Sequence, residues 1–193
     1  MRRVVAAITL AAVLAGVTEA QAPAEHEAPV LAPVGKSPIT LGPIGRRIAA
    51  AEPGDTLIIE AGIYRERLRI DKPLTLIGQG GAIIDGDASG DIVEISAPDV
   101  IFRGFVVRNT GISLDKENAA IRALAPRAVI EDNILEDILF GIDLREAPDS
   151  IVRGNRIGGK DLDIARRGDG LRLWRSNNTL IENNNIHDGR DAI

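Results

Sequence analysis

The sequence predicts an all-β fold, a parallel β-helix of three-strand coils about 22 residues long with a short helix capping its N-terminal end. Three observations carry this. Isoleucine occurs 26 times in 193 residues while aromatics make up only 3%, so the core is built from β-branched side chains rather than rings. From Leu57 onward, short Ile/Leu/Val runs are broken by Gly, Asn and Asp, the punctuation of many short strands. These runs also recur at a fixed spacing.

Taken in order, the chain opens with the basic Met1-Arg2-Arg3, an apolar run over residues 4–17 and the small-residue exit Thr18-Glu19-Ala20. That pattern is a secretory signal peptide over residues 1–20, its apolar run being too short to span a bilayer comfortably. Residues 21–43 hold Pro23, Pro29, Pro33, Pro38 and Pro43 with no hydrophobic period and read as a Pro-rich linker. Residues 44–193 read as the β-helix domain. Within it, Ile44, Ile48 and Ala51 share one face at helical spacing, and the helix is expected to stop before Pro53-Gly54. No later apolar run would hold the mature chain in a membrane.

Internal alignment defines the coil. Pro98-Asp99-Val100-Ile101-Phe102-Arg103 matches Pro126-Arg127-Ala128-Val129-Ile130-Glu131, then Pro148-Asp149-Ser150-Ile151-Val152-Arg153 and Asn177-Asn178-Thr179-Leu180-Ile181-Glu182. A second apolar set follows at Val107, Leu135, Ile157 and Ile186, and a third at Ile121, Ile142, Leu171 and Ile193. The third leg alternates in length, so every other coil carries about seven extra residues. The pattern breaks off at Ile193, where another coil is due. The domain is therefore expected to be incomplete at its C-terminal end and to expose an open strand edge.

Charge checks the alignment independently. Equivalent residues of neighbouring coils lie about 4.8 Å apart, so like charges in one column would repel. The columns read Arg103, Glu131, Arg153, Glu182, then Arg122, Asp143, Arg172, and Asp99, Arg127, Asp149, alternating in sign throughout. Asn133, Asn155 and Asn184 form a further column, suited to amides that hydrogen-bond from coil to coil.

The extra residues fall at 112–118 and 161–167, leaving the coil at one corner, two coils apart. Insertions in solenoids collect on one face and often bind there. Asp115, Lys116, Glu117, Asp161, Asp163, Arg166 and Arg167 are therefore the candidate partner face, with solvated loops as the bland alternative.

Composition narrows the chemistry. Cysteine is absent and Met1 is the only methionine, which excludes disulfides, Cys zinc sites, iron–sulfur clusters and thiol catalysis from this chain. A net charge of −5 and a pI near 5.1 argue against nucleic acid as a partner. The stretch from Asp85 to Asp91 imitates the start of a calcium loop, but Ser96 stands where the closing Glu belongs, and it reads as a plain turn. If the protein is an enzyme, Asp169 and Asp191 are the carboxylates to consider, each two residues before a strand in adjacent coils. Asp at turns is ordinary, however, and Trp174 is the one aromatic nearby that could hold a sugar.

The opening coil, from Pro53-Gly54-Asp55-Thr56-Leu57 through Gly62-Ile63-Tyr64 to Lys72-Pro73-Leu74-Thr75-Leu76-Ile77-Gly78, resembles right-handed β-helix proteins of the carbohydrate-binding and sugar-hydrolase type. Ser113-Leu114-Asp115-Lys116-Glu117, Gly168-Asp169-Gly170-Leu171-Arg172-Leu173-Trp174 and Gly189-Arg190-Asp191-Ala192-Ile193, together with the signal peptide, resemble the NosD-type periplasmic proteins of nitrous-oxide reductase maturation. The likeness spans roughly residues 44–193, whereas members of that group are about twice this long. It implies a periplasmic, right-handed β-helix working with an ABC transporter, a copper chaperone lipoprotein and the reductase, with copper as the cargo of the pathway. Exported copper sites use Met, Cys or His, and the mature chain offers only His26 and His187, with no second soft ligand near either. The segment is thus expected to bind no cofactor itself and to serve as scaffold and docking surface. A secreted carbohydrate-active protein, a polysaccharide lyase or glycoside hydrolase, is the alternative.

Overall fold

A computed structural model describes residues 41–193. The signal-peptide and most of the linker expectations lie outside these residues. Helix α1 (Pro43–Ala50) is followed by seventeen short strands that wind into a β-solenoid with three parallel sheets. The first sheet stacks β1 (Thr56–Ile59), β4 (Thr75–Gly78), β7 (Ile101–Arg103), β10 (Val129–Glu131), β13 (Ile151–Arg153) and β16 (Leu180–Glu182). The second stacks β2 (Gly62–Tyr64), β5 (Ala82–Asp85), β8 (Val106–Arg108), β11 (Ile134–Ile138), β14 (Arg156–Gly159) and β17 (Asn185–His187). The third stacks β3 (Leu68–Ile70), β6 (Val93–Ile95), β9 (Ala119–Ala123), β12 (Phe140–Arg145) and β15 (Leu171–Trp174). Every pairing is parallel and joins a strand to its counterpart one coil away, which is the parallel β-helix expected from the repeat.

The inward columns form one continuous core. Leu76, Phe102, Ile130 and Val152 line the first sheet, Ile84, Val107, Leu135 and Ile157 the second, and Val93, Ile121, Ile142 and Leu171 the third. All are buried. Burying a side chain of this size contributes about 1.5–3 kcal/mol, so stability accumulates coil by coil rather than at one centre. The largest rings, Phe102 and Phe105, stack at 4.4 Å within a single coil. The third column does not continue to Ile193. That residue is exposed and belongs to no strand, although Leu171 N–H still bonds to Ala192 O.

Helix α1 opens at Pro43, one residue inside the span assigned to the linker, because a proline at the first helical position forfeits no intrahelical hydrogen bond. Gly42 offers no side-chain cap. Glu66 supplies one from the next segment, accepting from Ile44 N–H at 3.0 Å and Gly45 N–H at 2.9 Å. At the other end the Lys72 ammonium donates to the carbonyls of Ile48, Ala49 and Ala51. Ile44 and Ile48 face the core, so the helix closes the end of the solenoid over β1 and β3.

Corners are turned by residues with left-handed backbone angles. Gly104, Asp132, Gly154 and Asn183 have φ of 77°, 55°, 64° and 56° where the first sheet passes to the second. Asp99, Arg127, Asp149 and Asn178 have φ of 59°, 59°, 60° and 57° on the way back to the first. Asp and Asn tolerate this region and Gly has no Cβ to clash there, which explains the punctuation seen in the sequence. Arg127 is the exception in type, and its guanidinium is held by the Asp99 carboxylate at 2.6 and 2.8 Å. At Gly104 the constraint is also steric, since a Cβ there would lie 2.6 Å from the carbonyl of Gly78 in the coil below.

Beside the first corner the amides form a ladder. The Asn133 side-chain oxygen accepts from Phe105 N–H, that of Asn155 from Asn133 N–H, and that of Asn184 from Asn155 N–H, all at 3.0–3.1 Å. The side-chain nitrogens of the three donate to the carbonyls of Phe102, Ile130 and Val152. Asn133 and Asn155 are each 1% exposed, so the ladder replaces water entirely. Asn155→Ala would orphan the buried Asn133 N–H, strip the Ile130 carbonyl of its second donor and leave a void, at about 1–3 kcal/mol for the unsatisfied group alone. A loss of about 3 kcal/mol is expected in urea denaturation, against less than 1 kcal/mol for alanine at the exposed Asp115.

Candidate functional site

The second and third sheets meet at a corner that is long in two coils and short in the coil between. Residues 109–118 join β8 to β9, residues 160–170 join β14 to β15, and only Leu139 separates β11 from β12. The two insertions therefore leave the same corner two coils apart. Both fold back on the short coil. Leu114 of the first and Leu162 of the second pack on a small cluster formed by Ala119, Leu139 and Phe140, apart from the main core. Within the first insertion the Asn118 side-chain oxygen accepts from Ser113 N–H, and below it Thr110 Oγ1 accepts from Leu139 N–H at 2.7 Å. Within the second, Asp163 caps a 3-10 turn, Ile164–Arg166, by accepting from Ala165 N–H, and Arg167 donates to Leu162 O at 2.7 Å. Lys160, at its root, is buried against the Asp137 carboxylate at 2.7 Å.

Beside the corner, the outward face of the third sheet carries one column of alternating charge: Arg69, Glu94, Arg122, Asp143, Arg172. Asp143 is fully buried. It accepts from Arg122 Nε at 3.2 Å, Arg145 Nε at 2.8 Å and Arg172 Nη2 at 3.2 Å. Asp91 takes the outer nitrogen of Arg122, and Glu117, from the first insertion, bonds to both Arg145 and Arg172. Three carboxylates thus balance three guanidiniums. The Arg172 and Arg145 hydrogen bonds push the Glu117 carboxyl down to about 2. Burial alone would lower the Arg172 guanidinium, but Glu117 and Asp143 more than reverse it and raise it above its ordinary value. Arg172 also lies 4.8 Å over the Phe140 ring, which ties the network to the apolar cluster below.

This geometry sorts the candidate partner face. Glu117 is turned into the ion network, Asp163 is spent on a cap and Arg167 on a carbonyl, because each inserted segment must satisfy its own backbone before it can meet anything else. Asp115, Lys116, Asp161 and Arg166 remain free at the surface, without any ion pair among the described residues. Charge-based reading missed Ile112 and Ile164, which are exposed on the same two loops, and Trp174, which is 61% exposed beside Arg145 in the strand register. For the two isoleucines the signal was an apolar residue inside a largely polar insertion, and Trp174 ends strand β15.

Other candidates fall as follows. Arg103 and Arg153 both pair with Glu131 between them, at 3.5 and 2.7 Å, while Glu182 stands in register with Arg153. Asp169 and Asp191 are joined by Arg190, whose guanidinium lies 2.9 Å from the first and 3.4 Å from the second. His26 lies outside the described residues. His187 bonds to its neighbour Asp188 at 2.7 Å and lowers that carboxyl, and no group of three metal-ligating side chains occurs among the described residues. The calcium-like turn is internally satisfied, Asp85 accepting from Arg108, Asn109 and Asp87 N–H. A groove of about 890 Å³ runs beside α1, lined among others by Arg46, Arg65, Ile48, Asp87 and Ile92.

The chain is 32% identical over 162 residues to the probable ABC transporter binding protein NosD of Pseudomonas aeruginosa, a match covering 77% of this chain and 38% of that protein. It is 30% identical over 138 residues to the protein of the same name from Stutzerimonas stutzeri, covering 69% and 31%. It is thus similar to NosD over most of its own length and spans about a third of these curated relatives. Among solved structures it is similar to pectin methylesterase in complex with hexasaccharides, at TM-scores of 0.48 and 0.46 and identities of 22% and 23%, covering 60% of this chain and 44% of the other in both cases. No protein-family profile matches the chain.

Two outcomes follow from the network. Asp143→Ala would leave three guanidiniums facing only Asp91 and Glu117 in a partly buried site, and a loss of about 3 kcal/mol is expected in urea denaturation. Glu117 has a folded-state value near 2 against an ordinary 4.5, so its contribution is complete above about pH 4.5 and disappears as pH falls towards 2. Melting temperatures measured across that window should fall less steeply for Glu117→Gln than for the unaltered chain.

Proposed function

We propose that this β-helix is an exported, periplasmic scaffold in the maturation of nitrous-oxide reductase, and that it docks on an ABC transporter through the corner bearing the two insertions. The observation that carries the reading is the similarity to two NosD proteins, both named as probable ABC transporter binding proteins. Because the chain spans about a third of them, the copper chaperone lipoprotein and the reductase enter the proposal as partners of the pathway as a whole. Copper is its cargo. With no cysteine, and with His187 the one histidine among the described residues, this segment acts through protein contacts.

The corner supports docking by its composition. Exposed Ile112, Ile164 and Trp174 can anchor an interface, and Asp115, Lys116, Asp161 and Arg166 add exposed charge on the same two insertions. A scaffold also needs rigidity: the ion network holds the first insertion through Glu117, and the Lys160–Asp137 pair holds the root of the second. The carbohydrate-active alternative is less well supported, because the guanidinium of Arg190 stands between the carboxylates of Asp169 and Asp191.

The test is co-purification of the tagged chain with the transporter from cells that express both. Arg166→Glu combined with Lys116→Glu should lower recovery several-fold without moving the melting temperature, since neither side chain holds the fold. Unchanged recovery would overturn this docking face. Arg167 is left intact because its guanidinium supports the loop.

A further inference from the structure

The ion network has an unusual division of labour. Asp143 is the permanent anchor, fully buried in β12 and bonded to three guanidiniums. It engages Arg145 through Nε and Arg172 through Nε and Nη2. That leaves Nη2 of Arg145 and Nη1 of Arg172 converging on one point further out. Glu117 fills that point, giving Oε2 to Arg145 and Oε1 to Arg172, the latter at 2.8 Å. Glu117 belongs to no sheet. The first insertion carries it there from the neighbouring coil, and its side chain is 36% exposed.

We propose that the Arg145–Arg172 fork is a carboxylate-binding site, occupied here by the chain's own Glu117, whose exchange partner is an acidic segment of the protein that docks on this corner. The inference rests on the docking reading above and names the chemistry of that partner.

Several features support it. The fork is organised without Glu117: Asp143 fixes both guanidinium planes and the Phe140 ring stacks under Arg172, and neither residue lies in the insertion. Pre-organised, paired N–H donors are the arrangement that recognises a carboxylate. Charge selects the sign of the ligand. Without Glu117, Asp91 and Asp143 leave one of the three arginines uncompensated, so an anion is drawn in and a cation is not. The fork is reachable, Arg145 being 33% and Arg172 27% exposed. Trp174, in register beside Arg145, offers an apolar platform next to it, so the fitting segment pairs an acidic residue with an apolar neighbour.

The occupant also explains why the first insertion is shaped as it is. Its backbone is tied at both ends, by Gly111 N–H to Gly90 O, Phe140 N–H to Asn118 O and the Arg122 guanidinium to Glu117 O, and Leu114 packs on Phe140 between them. The Glu117 carboxylate reaches across two coils, to a residue 55 positions away. Displacing it would open the fork and remove the ionic hold of this segment on β12 and β15, while the backbone ties keep the loop bearing Ile112 and Lys116 in place beside the incoming ligand.

The test uses the full chain and a soluble decapeptide of glutamates with one central leucine, followed through Trp174, the chain's only tryptophan. Glu117→Gln removes the competing carboxylate but keeps its shape. Peptide should bind this variant at least about tenfold more tightly than the unaltered chain, because a self-ligand present nine-tenths of the time lowers apparent affinity by that factor. Adding Arg172→Ala should abolish the gain. Glu117→Asp, a shorter carboxylate on the same loop, should fall between the two. If Glu117→Gln and the unaltered chain bind equally, or if binding survives Arg172→Ala, the proposal is overturned. It is also overturned if inorganic phosphate saturates the fork at the peptide's own concentration, which would mark a site for free oxyanions. These titrations contain no transporter, so their failure would leave the co-purification result standing, and the reverse.

Discussion

The structure depends on one constraint: each strand must pair with its own counterpart, one coil away, at the spacing set by the backbone hydrogen bonds. Every side chain therefore meets the equivalent position of the next coil, and each column is judged separately. Apolar columns face inward and merge into a core. Amide columns pass hydrogen bonds along the axis, as Asn133, Asn155 and Asn184 do. Charged columns must alternate, and the run from Arg69 to Arg172 does so over five coils. The corners follow from the same demand, because a coil that returns to register within so few residues must bend sharply through left-handed residues.

The corner bearing the insertions shows how such a scaffold acquires a surface of its own. Strand positions are committed to the stack, so added residues can only leave where a sheet ends. Once outside, they need anchors. Leu114 and Leu162, the Thr110 hydroxyl, the Lys160 ammonium and the Glu117 carboxylate provide them, each reaching the short coil between. What stays exposed is a small mixed patch of isoleucine, tryptophan and charge, held on rigid supports.

Much of this is legible in the residues themselves. The stacking of Ile101, Val129, Ile151 and Leu180, the alternation through Arg122, Asp143 and Arg172, and the asparagine column all have a period, and a period survives without coordinates. The continuation of the charged column to Glu94 and Arg69 is not legible, because the first coils differ in length and break the count. The inward turn of Glu117 is hidden for another reason. Its partners lie 28 and 55 residues away on the outer face of other coils, and an inserted loop has no register to point at them. The pairing of Asp169 with Asp191 looked catalytic because spacing places two carboxylates together, yet spacing does not reveal the Arg190 side chain between them.

The alternation has a consequence for how such a chain can change its length. Coils with an insertion carry Arg103, Arg122, Arg153 and Arg172, while the coil between them carries Glu131 and Asp143. Deleting the coil between them would set arginine against arginine and put the two insertions in neighbouring coils, where they would compete for the same apolar seat, and duplicating it would set carboxylate against carboxylate. Duplicating two coils together preserves every contact. The heritable module of this solenoid is therefore a pair of unlike coils, and its natural increments of growth are even.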